Sequence, residues 1–329
     1  MMRGIKTAGL VLALGALAMP IAAQEVPVAT APAQVDAEKT DTVQTPPART
    51  TIGWGRFFNN DYIGDGKDRW RTSSYTLSQV RGPAWTGDLP SSFGALREFR
   101  LRAENIAPAS LSAPSADDRR YAGALSFGLH SHFQQGREEI SLGADVVVIG
   151  PQTGLSRLQD ALHDKFGLPD GSASYDAQFP NTVKLAITGE VGRDIALGSS
   201  LTLRPFVEGQ IGVETLARAG VDFTLGNLAK DSLLLRDAST GQRYSAAQGP
   251  LGKGVSLTLG GDVARVEDSF YLPSGGAVTR SPTRSRLRAG VNWQGEKSFV
   301  FFGMTHLSPE FDEQPTGQTL GSLSLLMRF

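Results

Sequence analysis

The chain has 329 residues, with 32 basic and 33 acidic side chains and no cysteine. This balanced charge argues against a nucleic-acid-binding protein, because no basic excess is present to collect phosphates. The absence of cysteine excludes disulfides, thiolate metal sites, a cysteine nucleophile and a lipoprotein anchor. Length alone allows two domains, but an all-β barrel of this size also forms a single unit.

The N-terminus has the features of an export signal. Arg3 and Lys6 precede an apolar run at 8–21, and Ala22 and Ala23 offer small residues for cleavage. The run is shorter than the roughly 20 residues that a membrane-spanning helix needs. We therefore predict a signal peptide at 1–23. Residues 24–50 are rich in Pro, Ala, Thr and Val without an aromatic residue, which predicts a flexible periplasmic linker before a barrel domain at 51–329.

From residue 51 onward, apolar and polar residues alternate as they do in β-strands. In the last segment Leu323 and Leu325 take one face and Ser322 and Ser324 the other. A soluble β-sandwich alternates in the same way. The export signal, the lack of cysteine and an aromatic Phe329 at the end of a strand favour an all-β transmembrane outer-membrane barrel. We predict about twelve antiparallel strands, near 52–58, 73–80, 95–104, 121–132, 138–148, 182–192, 201–212, 216–225, 253–265, 284–293, 298–306 and 319–329.

Strand order predicts which connections lie outside the cell. Outer-membrane barrels have short periplasmic turns, longer outer loops and both termini in the periplasm. The connections at 59–72, 105–120 and 150–181 are then outer loops, and the short turns at 134–137 and 294–297 are periplasmic. The connection at 226–252 is long for a periplasmic turn.

One outer loop contains a segment with helical spacing. Between Gly150 and Gly167, apolar residues fall at Leu155, Leu158, Leu162 and Phe166, which predicts one short amphipathic helix with an apolar stripe. Gln159 lies beside the stripe and His163 at its edge. We expect the stripe to pack the helix onto the barrel rim. A lone helical histidine is either a structural residue or a catalytic base, and the spacing alone leaves both open.

Acidic and amide side chains gather in the first outer loop. Asn60, Asp61, Asp65, Asp68 and Thr72 supply oxygen ligands of the kind that Ca²⁺ prefers, although the spacing is not that of an EF-hand. A solvated acidic turn is the alternative, because Asn, Asp and Gly are turn residues. The other three histidines are expected to be lumen-lining (His130 and His132) or to end an outer strand (His306). No G-x-S-x-G or H-E-x-x-H motif occurs.

Several short motifs, taken in order, resemble the outer-membrane lipid A 3′-O-deacylase family. They are Asn60-Asp61, Asp68-Arg69 with Thr72, Asp118-Arg119 with Tyr121-Ala122-Gly123, Gly150-Pro151 with Gln159 and His163, Gln178 with Pro180-Asn181, and Ser308-Pro309-Glu310-Phe311. They extend over nearly all of the chain from Asn59 onward. The resemblance implies a twelve-stranded barrel that hydrolyses the 3′ acyloxyacyl ester of lipid A in a Ca²⁺-dependent way, at a site between the barrel wall and an outer helix.

The resemblance also implies roles for individual residues. Asn60, Asp61, Thr72 and His163 match positions on which activity depends in that family. Arg71 and Ser74 depart from the Tyr and Gly that are usual around Thr72. A site lysine expected between the third strand and the Asp118-Arg119 motif is absent from 104–119, and Arg119 or Arg120 is a candidate to supply its charge.

The resulting hypothesis is a Ca²⁺-dependent ester hydrolase that acts on lipid A of lipopolysaccharide in the outer leaflet. His163 would be the general base, Asp61 and Asp68 would hold Ca²⁺, and Asn60, Thr72 and Gln159 would complete the catalytic residues. The apolar stripe would leave a groove for acyl chains. We expect a monomer with its site facing the cell exterior. The alternative is a non-enzymatic barrel, either a narrow porin or an adhesin, although about twelve strands make a narrow diffusion pore.

Overall fold

The structure, a computed structural model, describes residues 49–227, 232–248, 253–295 and 298–327. The predicted signal peptide (1–23), all but the end of the predicted linker (24–50) and Phe329 lie outside the described residues. The first strand begins at Thr50, one residue before the predicted start of the barrel domain.

Twelve long antiparallel strands form the wall of the molecule. They are β1 (Thr50–Asn60), β2 (Trp70–Gly82), β3 (Leu96–Ala107), β4 (Ala122–Gln135), β5 (Glu138–Ile149), β6 (Thr182–Gly192), β8 (Leu201–Ile211), β9 (Glu214–Leu225), β12 (Gly254–Ser269), β13 (Thr283–Gln294), β14 (Ser298–Leu307) and β15 (Gln318–Met327). Three shorter strands are β7 (Ile195–Ala196), β10 (Ser232–Arg236) and β11 (Arg243–Gln248). The wall strands lie within a few residues of their predicted positions.

Each wall strand is hydrogen-bonded to the next wall strand in the chain, and the last strand is also paired with the first. Two of these pairings make the sheet a closed ring. β1 pairs with β15 through Phe58 and Leu323, and β6 pairs with β8 through Glu190 and Glu208. A sheet closed in this way has no free edge in the membrane, where unpaired backbone groups are costly. The predicted twelve-stranded antiparallel barrel is confirmed.

The alternation within β13 shows why this sequence forms a membrane barrel. Arg284, Arg286 and Arg288 are buried and point into the lumen, whereas Leu287 and Val291 on the opposite face are exposed. In the lumen the arginines find carboxylate partners, while the apolar side chains of the outer face suit lipid. The arginines of β13 are thereby kept away from the hydrocarbon.

A hairpin inside the lumen accounts for the long connection at 226–252. Its strands β10 and β11 pair with each other, and Tyr244 of β11 stacks on the inward-facing Phe57 of β1 at a ring-centroid distance of 4.8 Å. Leu235 and Ala246 join the same buried cluster. The sequence suggested a long periplasmic turn here. The connection instead folds back into the barrel, because its apolar residues find buried neighbours only there.

The inner hairpin also reaches the opposite wall. Arg236 of β10 donates to Glu190 of β6 (2.6 Å) and to Asp222 of β9 (3.0 Å). At the hairpin tip, Asp237 accepts a hydrogen bond of 3.0 Å from Asn59 at the end of β1. The hairpin therefore crosses the lumen and ends beneath the loop that follows β1. A polar cavity of about 730 Å³ remains beside it.

Three α-helices and a 3₁₀ turn (Pro151–Thr153) lie in the described part of the chain, and no helix there is long and apolar enough to cross a membrane. α1 (Asp61–Gly64) follows β1 directly, whereas α2 (Leu155–Phe166) and α3 (Ser172–Asp176) lie between β5 and β6. All three are at the end of the barrel where β1 and β5 finish, which we call the helix end.

Candidate active site

Glycines define both ends of helix α2 and its contact with the wall. Gly154 (φ 71°) precedes the helix and Gly167 (φ 67°) ends it in the left-handed conformation that favours glycine. Leu155, the first helical residue, packs on Gly123 of β4, where a Cβ atom would lie only 3.0 Å from the Leu155 Cβ. The close approach of helix and wall thus depends on a residue without a side chain.

The orientation of α2 corrects the expectation about its apolar stripe. Ser156, Gln159 and His163 are buried with Leu155, while Leu158, Leu162 and Phe166 are exposed. The expectation that the stripe packs the helix onto the barrel rim was wrong for all of the stripe except Leu155. Burial of the polar side is possible because its two long side chains, Gln159 and His163, have hydrogen-bond partners in the neighbouring loops and at the start of β4.

His163 lies between α2 and the loop that precedes β2. Its Nε2 is 2.9 Å from Oδ2 of Asp68, and its Nδ1 is 2.7 Å from the carbonyl oxygen of Pro169. A proton on Nδ1 donates to that carbonyl, which fixes the ring and directs Nε2 into the site. The ring is buried, so its position is set by these two contacts and not by solvent.

Asp68 connects the helix to β2. Its Oδ1 accepts a short hydrogen bond from the Thr72 hydroxyl and a long one, of 3.4 Å, from the Gln159 amide. The amide oxygen of Gln159 accepts in turn from the Tyr121 hydroxyl at 2.9 Å. The carboxylate therefore contacts three of the predicted site residues, His163 among them.

Asp61 is the most deeply buried carboxylate of the site. Its Oδ2 accepts from the Arg69 backbone N–H (2.7 Å) and from the Gln318 amide (3.2 Å), and its Oδ1 lies 3.4 Å from the Thr72 hydroxyl. Burial raises the pKa of Asp61 to about 8, and the neighbouring carboxylates Asp68 and Asp65 add to the increase. In the metal-free protein this carboxyl group is thus protonated at neutral pH.

These oxygens suit a hard cation. Asp65 Oδ1 is buried without a hydrogen-bond partner among the described residues, and three carboxylates share one loop. Oxygen atoms of carboxylates and hydroxyls are what Ca²⁺ binds. Among the described residues no group of three or more His, Asp or Glu is arranged as a formed metal site. The donor types therefore fit Ca²⁺.

Two backbone irregularities next to Thr72 determine the direction of its side chain. Trp70 has a φ of 50°, a conformation that costs a bulky residue about 1–2 kcal/mol. The register of β2 against β3 shifts between Arg71 and Ser73, as it does at a β-bulge. Arg71 points into the lumen, where it pairs with Glu104 and other acids, and Thr72 points to Asp68.

Asn60 occupies a different position from the other predicted residues. Its side-chain oxygen accepts from the Tyr62 N–H at 2.8 Å, which makes it the N-cap of α1. It thereby fixes the helix that begins with Asp61. The structure brings Asp61, Asp68, Thr72, Gln159 and His163 into one hydrogen-bonded group, with Asn60 beside it.

Two features of the site were not predicted from the sequence. Gln318 reaches Asp61 from the last strand, and its amide also donates to the Arg69 carbonyl at 2.6 Å. The strained backbone of Trp70 was the other. A residue 257 positions away in the chain gives no periodic or local signal, whereas the Tyr121 contact to Gln159 lies within a motif that the sequence did single out.

The candidates for the missing lysine do not contact this group. Arg119 is buried and forms a short ion pair with Glu310, and burial lowers the pKa of its guanidinium. Arg120 donates to the backbone carbonyls of Ala177 (2.8 Å) and Gln178 (2.7 Å). Both arginines are therefore engaged with other groups in this structure.

The structure also shows where the other three histidines lie. His130 and His132 are buried and line the lumen cavity, where they face Asp145 and Glu98, as predicted. His306 is exposed and lies 3.2 Å from the Thr319 hydroxyl. The residues Asp61, Asp68, Thr72, Gln159 and His163 do not line the lumen cavity, so the site and the lumen are separate features.

Comparison with known families decides where the chain belongs. The family model described as "Outer membrane protein LpxR" matches residues 10–329. The chain belongs to the LpxR family. The family resemblance inferred from the sequence motifs is confirmed, and the LpxR family gives the barrel its location in the bacterial outer membrane.

Solved structures support the fold of this LpxR family member. LpxR from Salmonella typhimurium is 17% identical, with a TM-score of 0.72, and the match covers 84% of this chain and 100% of that chain. The KdgM porin (6% identity, 84% and 98% covered, TM-score 0.38) and the NalP translocator domain from Neisseria meningitidis (12% identity, 88% and 90% covered, TM-score 0.39) match less well. A comparison with curated protein sequences finds no match.

Proposed function

We propose that this protein is a Ca²⁺-dependent lipid A 3′-O-deacylase of the outer membrane. The observation that carries the proposal is the buried contact between His163 Nε2 and Asp68, between helix and wall, in a chain of the LpxR family. The substrate would be lipid A of lipopolysaccharide. The bond broken would be the 3′ ester that carries an acyloxyacyl group, so that two linked acyl chains leave together.

His163 would act as the general base. With Nδ1–H donating to the Pro169 carbonyl, Nε2 is the ring atom left for proton transfer, and it would accept a proton from water once the Asp68 carboxylate, which it contacts at 2.9 Å, is turned to Ca²⁺. The water oxygen would attack the ester carbonyl carbon, the bond to the sugar oxygen would break, and the proton on Nε2 would pass to that oxygen. The fatty acid and the sugar hydroxyl are the balanced products.

The acidic residues would bind the cation. Ca²⁺ held by Asp61 and Asp68 would supply the positive charge that stabilises the developing oxyanion. The Pro169 carbonyl, at Nδ1, would align the His163 ring. Thr72 and Gln159 would hold Asp68 through their hydrogen bonds, and Asn60 would fix Asp61 by capping α1.

Strand parity supports a site on the cell exterior. The loops that carry Asp61, Asp68 and His163 follow the odd-numbered wall strands β1 and β5, and outer-membrane barrels begin in the periplasm. The outer leaflet, where lipid A resides, would then be within reach of the site. We propose a monomer, because the site is built from one chain.

The inner hairpin argues against a diffusion pore. It contacts β1 through Tyr244 and the opposite wall through Arg236, so it bridges the lumen that a porin keeps open. The hydrolase is therefore preferred over the porin alternative.

Metal dependence gives the test in solution. Purified protein in detergent, incubated with lipid A and Ca²⁺, should release the acyloxyacyl group, and excess chelator should stop the reaction. Ca²⁺ added back should restore it, whereas in Asp61→Ala the restoration should need more Ca²⁺ or fail. Full turnover in excess chelator would contradict the proposed mechanism, and loss of only a secondary chain would contradict the assigned ester.

A further inference from the structure

Helix α2 has three sectors with different neighbours. Gln159 and His163 face the site, and Arg157 and Asp164 are exposed on the back. A third sector, about a quarter turn from the buried one at 100° per residue, holds Leu158 and Leu162. Phe166, in line with Gln159 but two turns further on, and Leu168 follow at the exposed end of the helix. We call these four residues the apolar flank; in chain order their exposed fractions are 56, 44, 67 and 45%.

The helix cannot rotate to bury this flank without breaking the site. His163 contacts Asp68 at 2.9 Å, and Gln159 is hydrogen-bonded to Tyr121 at 2.9 Å. A turn of the helix that covered Leu162 would withdraw both side chains and leave polar groups buried without partners. The apolar flank is therefore a fixed feature of the folded protein.

The flank continues the lipid-facing surface of the barrel. Leu155 packs on Gly123, which shares the outward face of β4 with the exposed Phe127 and Leu129. Helix α2 thus begins over the outer side of the wall and not over the lumen. The same loop returns to the wall at β6, whose outward residues Val183 and Leu185 are also exposed. A shallow apolar groove of about 560 Å³ lies on this outer wall, between Phe99, Phe127 and Val146 among others.

We propose that the apolar flank of α2 lies in the acyl-chain layer of the membrane that surrounds the barrel. The occupant of this surface is the acyl chains of membrane lipid. A helix with one apolar and one charged side lies in the plane of the interface, with its apolar side in the hydrocarbon and its charged side in water. The three sectors of α2 then face the site, the lipid and the water.

This inference goes beyond the proposed hydrolysis and requires only that the barrel is in a membrane. If the proposed function also holds, the flank places His163 at the boundary between headgroups and acyl chains. That boundary is the level at which the esters of a membrane lipid lie, so a substrate would reach the site without leaving the bilayer.

The absence of cysteine allows a direct test by site-specific labelling. Leu162→Cys carries an environment-sensitive fluorophore on the flank, and Asp164→Cys carries it on the back of the same helix as the matched control. Both proteins are folded into phospholipid vesicles that contain nitroxide-labelled lipid. We expect lipid nitroxide to quench the 162 label at least about threefold more than the 164 label, with the reverse order for aqueous iodide.

Two results would overturn the inference. Equal iodide quenching at the two positions would mean that the flank is in water. Quenching of the 162 label by a second labelled copy, lost on dilution of the protein in the vesicles, would mean that another chain covers the flank. Because the readout is not enzymatic, lipid burial of the 162 label together with an inactive protein would contradict only the proposed function.

Discussion

At the scale of single residues, burial of the Asp61 carboxyl group is the main electrostatic cost of the site. The carboxyl group is fully buried and receives hydrogen bonds from Arg69, Gln318 and Thr72. A buried carboxyl group takes either a proton or a cation to offset its charge. The same burial that raises its pKa would strengthen its attraction for Ca²⁺ once the proton is lost.

The raised pKa of Asp61 predicts a pH dependence of stability in excess chelator. The folded protein keeps this proton up to about pH 8, whereas the unfolded chain loses it near 3.8. Between these values the folded state binds more protons, so the contribution is full below pH 3.8 and is lost as pH rises through about 8. Each pH unit in this window lowers the free energy of unfolding by at most about 1.4 kcal/mol.

Asp61→Asn is the matched variant, because an amide does not titrate in this range. Urea unfolding in lipid with chelator should show the wild type losing stability relative to Asp61→Asn between pH 5 and about 8. Other carboxylates act equally in both proteins, so the difference isolates this group. Parallel pH profiles would show that Asp61 is not protonated in the fold.

The predicted site residues were recoverable from the sequence because they lie in two local motifs. Asp61, Asp68 and Thr72 share one loop, and Gln159 and His163 are one helical turn apart. Gln318 was not recoverable, since its contact with Asp61 depends on closure of the barrel by the last strand. The grouping of these side chains could thus be predicted where chain proximity carried the information, whereas their roles stay predictions.

At the scale of elements, helix α2 shows a limit of periodicity as a predictor. The spacing predicted the helix, and the structure contains it at Leu155–Phe166. The same spacing indicated which side is apolar but not whether protein or lipid is its neighbour. In a membrane protein the apolar side of a rim helix can face the lipid, and the polar side can then be the one that packs.

The inner hairpin was also not predicted as such. Residues 226–252 were recognised as too long for a turn, but nothing local distinguishes a strand in the lumen from a strand elsewhere. Gly53 of β1 is a point where the hairpin packs closely on the wall. A Cβ atom at this position would lie 1.9 Å from the Ala246 carbonyl oxygen of β11. The wall needs a residue without a side chain where the hairpin packs on it.

We predict that Gly53→Ala destabilises the barrel by about 1–3 kcal/mol, as expected for overpacking a buried contact. Gly209→Ala is the control, since nothing lies within 4 Å of a Cβ atom built at Gly209 on β8. Urea unfolding followed by heat-modifiable gel mobility measures both. Equal stability of the two variants would mean that the hairpin is not packed on β1.

At the scale of the whole molecule, the barrel separates two environments. The lumen holds the buried arginines and carboxylates around the inner hairpin, and the candidate site lies at the helix end, between α2, the loop before β2 and the last strand. Strand count and fold class were predictable, because alternation over ten residues and parity are global patterns of the sequence. A site at the rim of the barrel, beside a lumen that the inner hairpin bridges, suits a lipid better than a solute that passes through the lumen.

The most direct test of the central claim is mass spectrometry of lipid A from cells that carry this protein. We predict that wild-type protein yields lipid A lighter by one acyloxyacyl unit. His163→Ala should remove at least about 10²-fold of that activity while the barrel remains heat-modifiable, as expected for loss of a general base. Asp164→Ala, one position along the same helix and exposed, should retain it. Unchanged lipid A with the folded wild-type protein, or equal conversion by His163→Ala, would contradict the account.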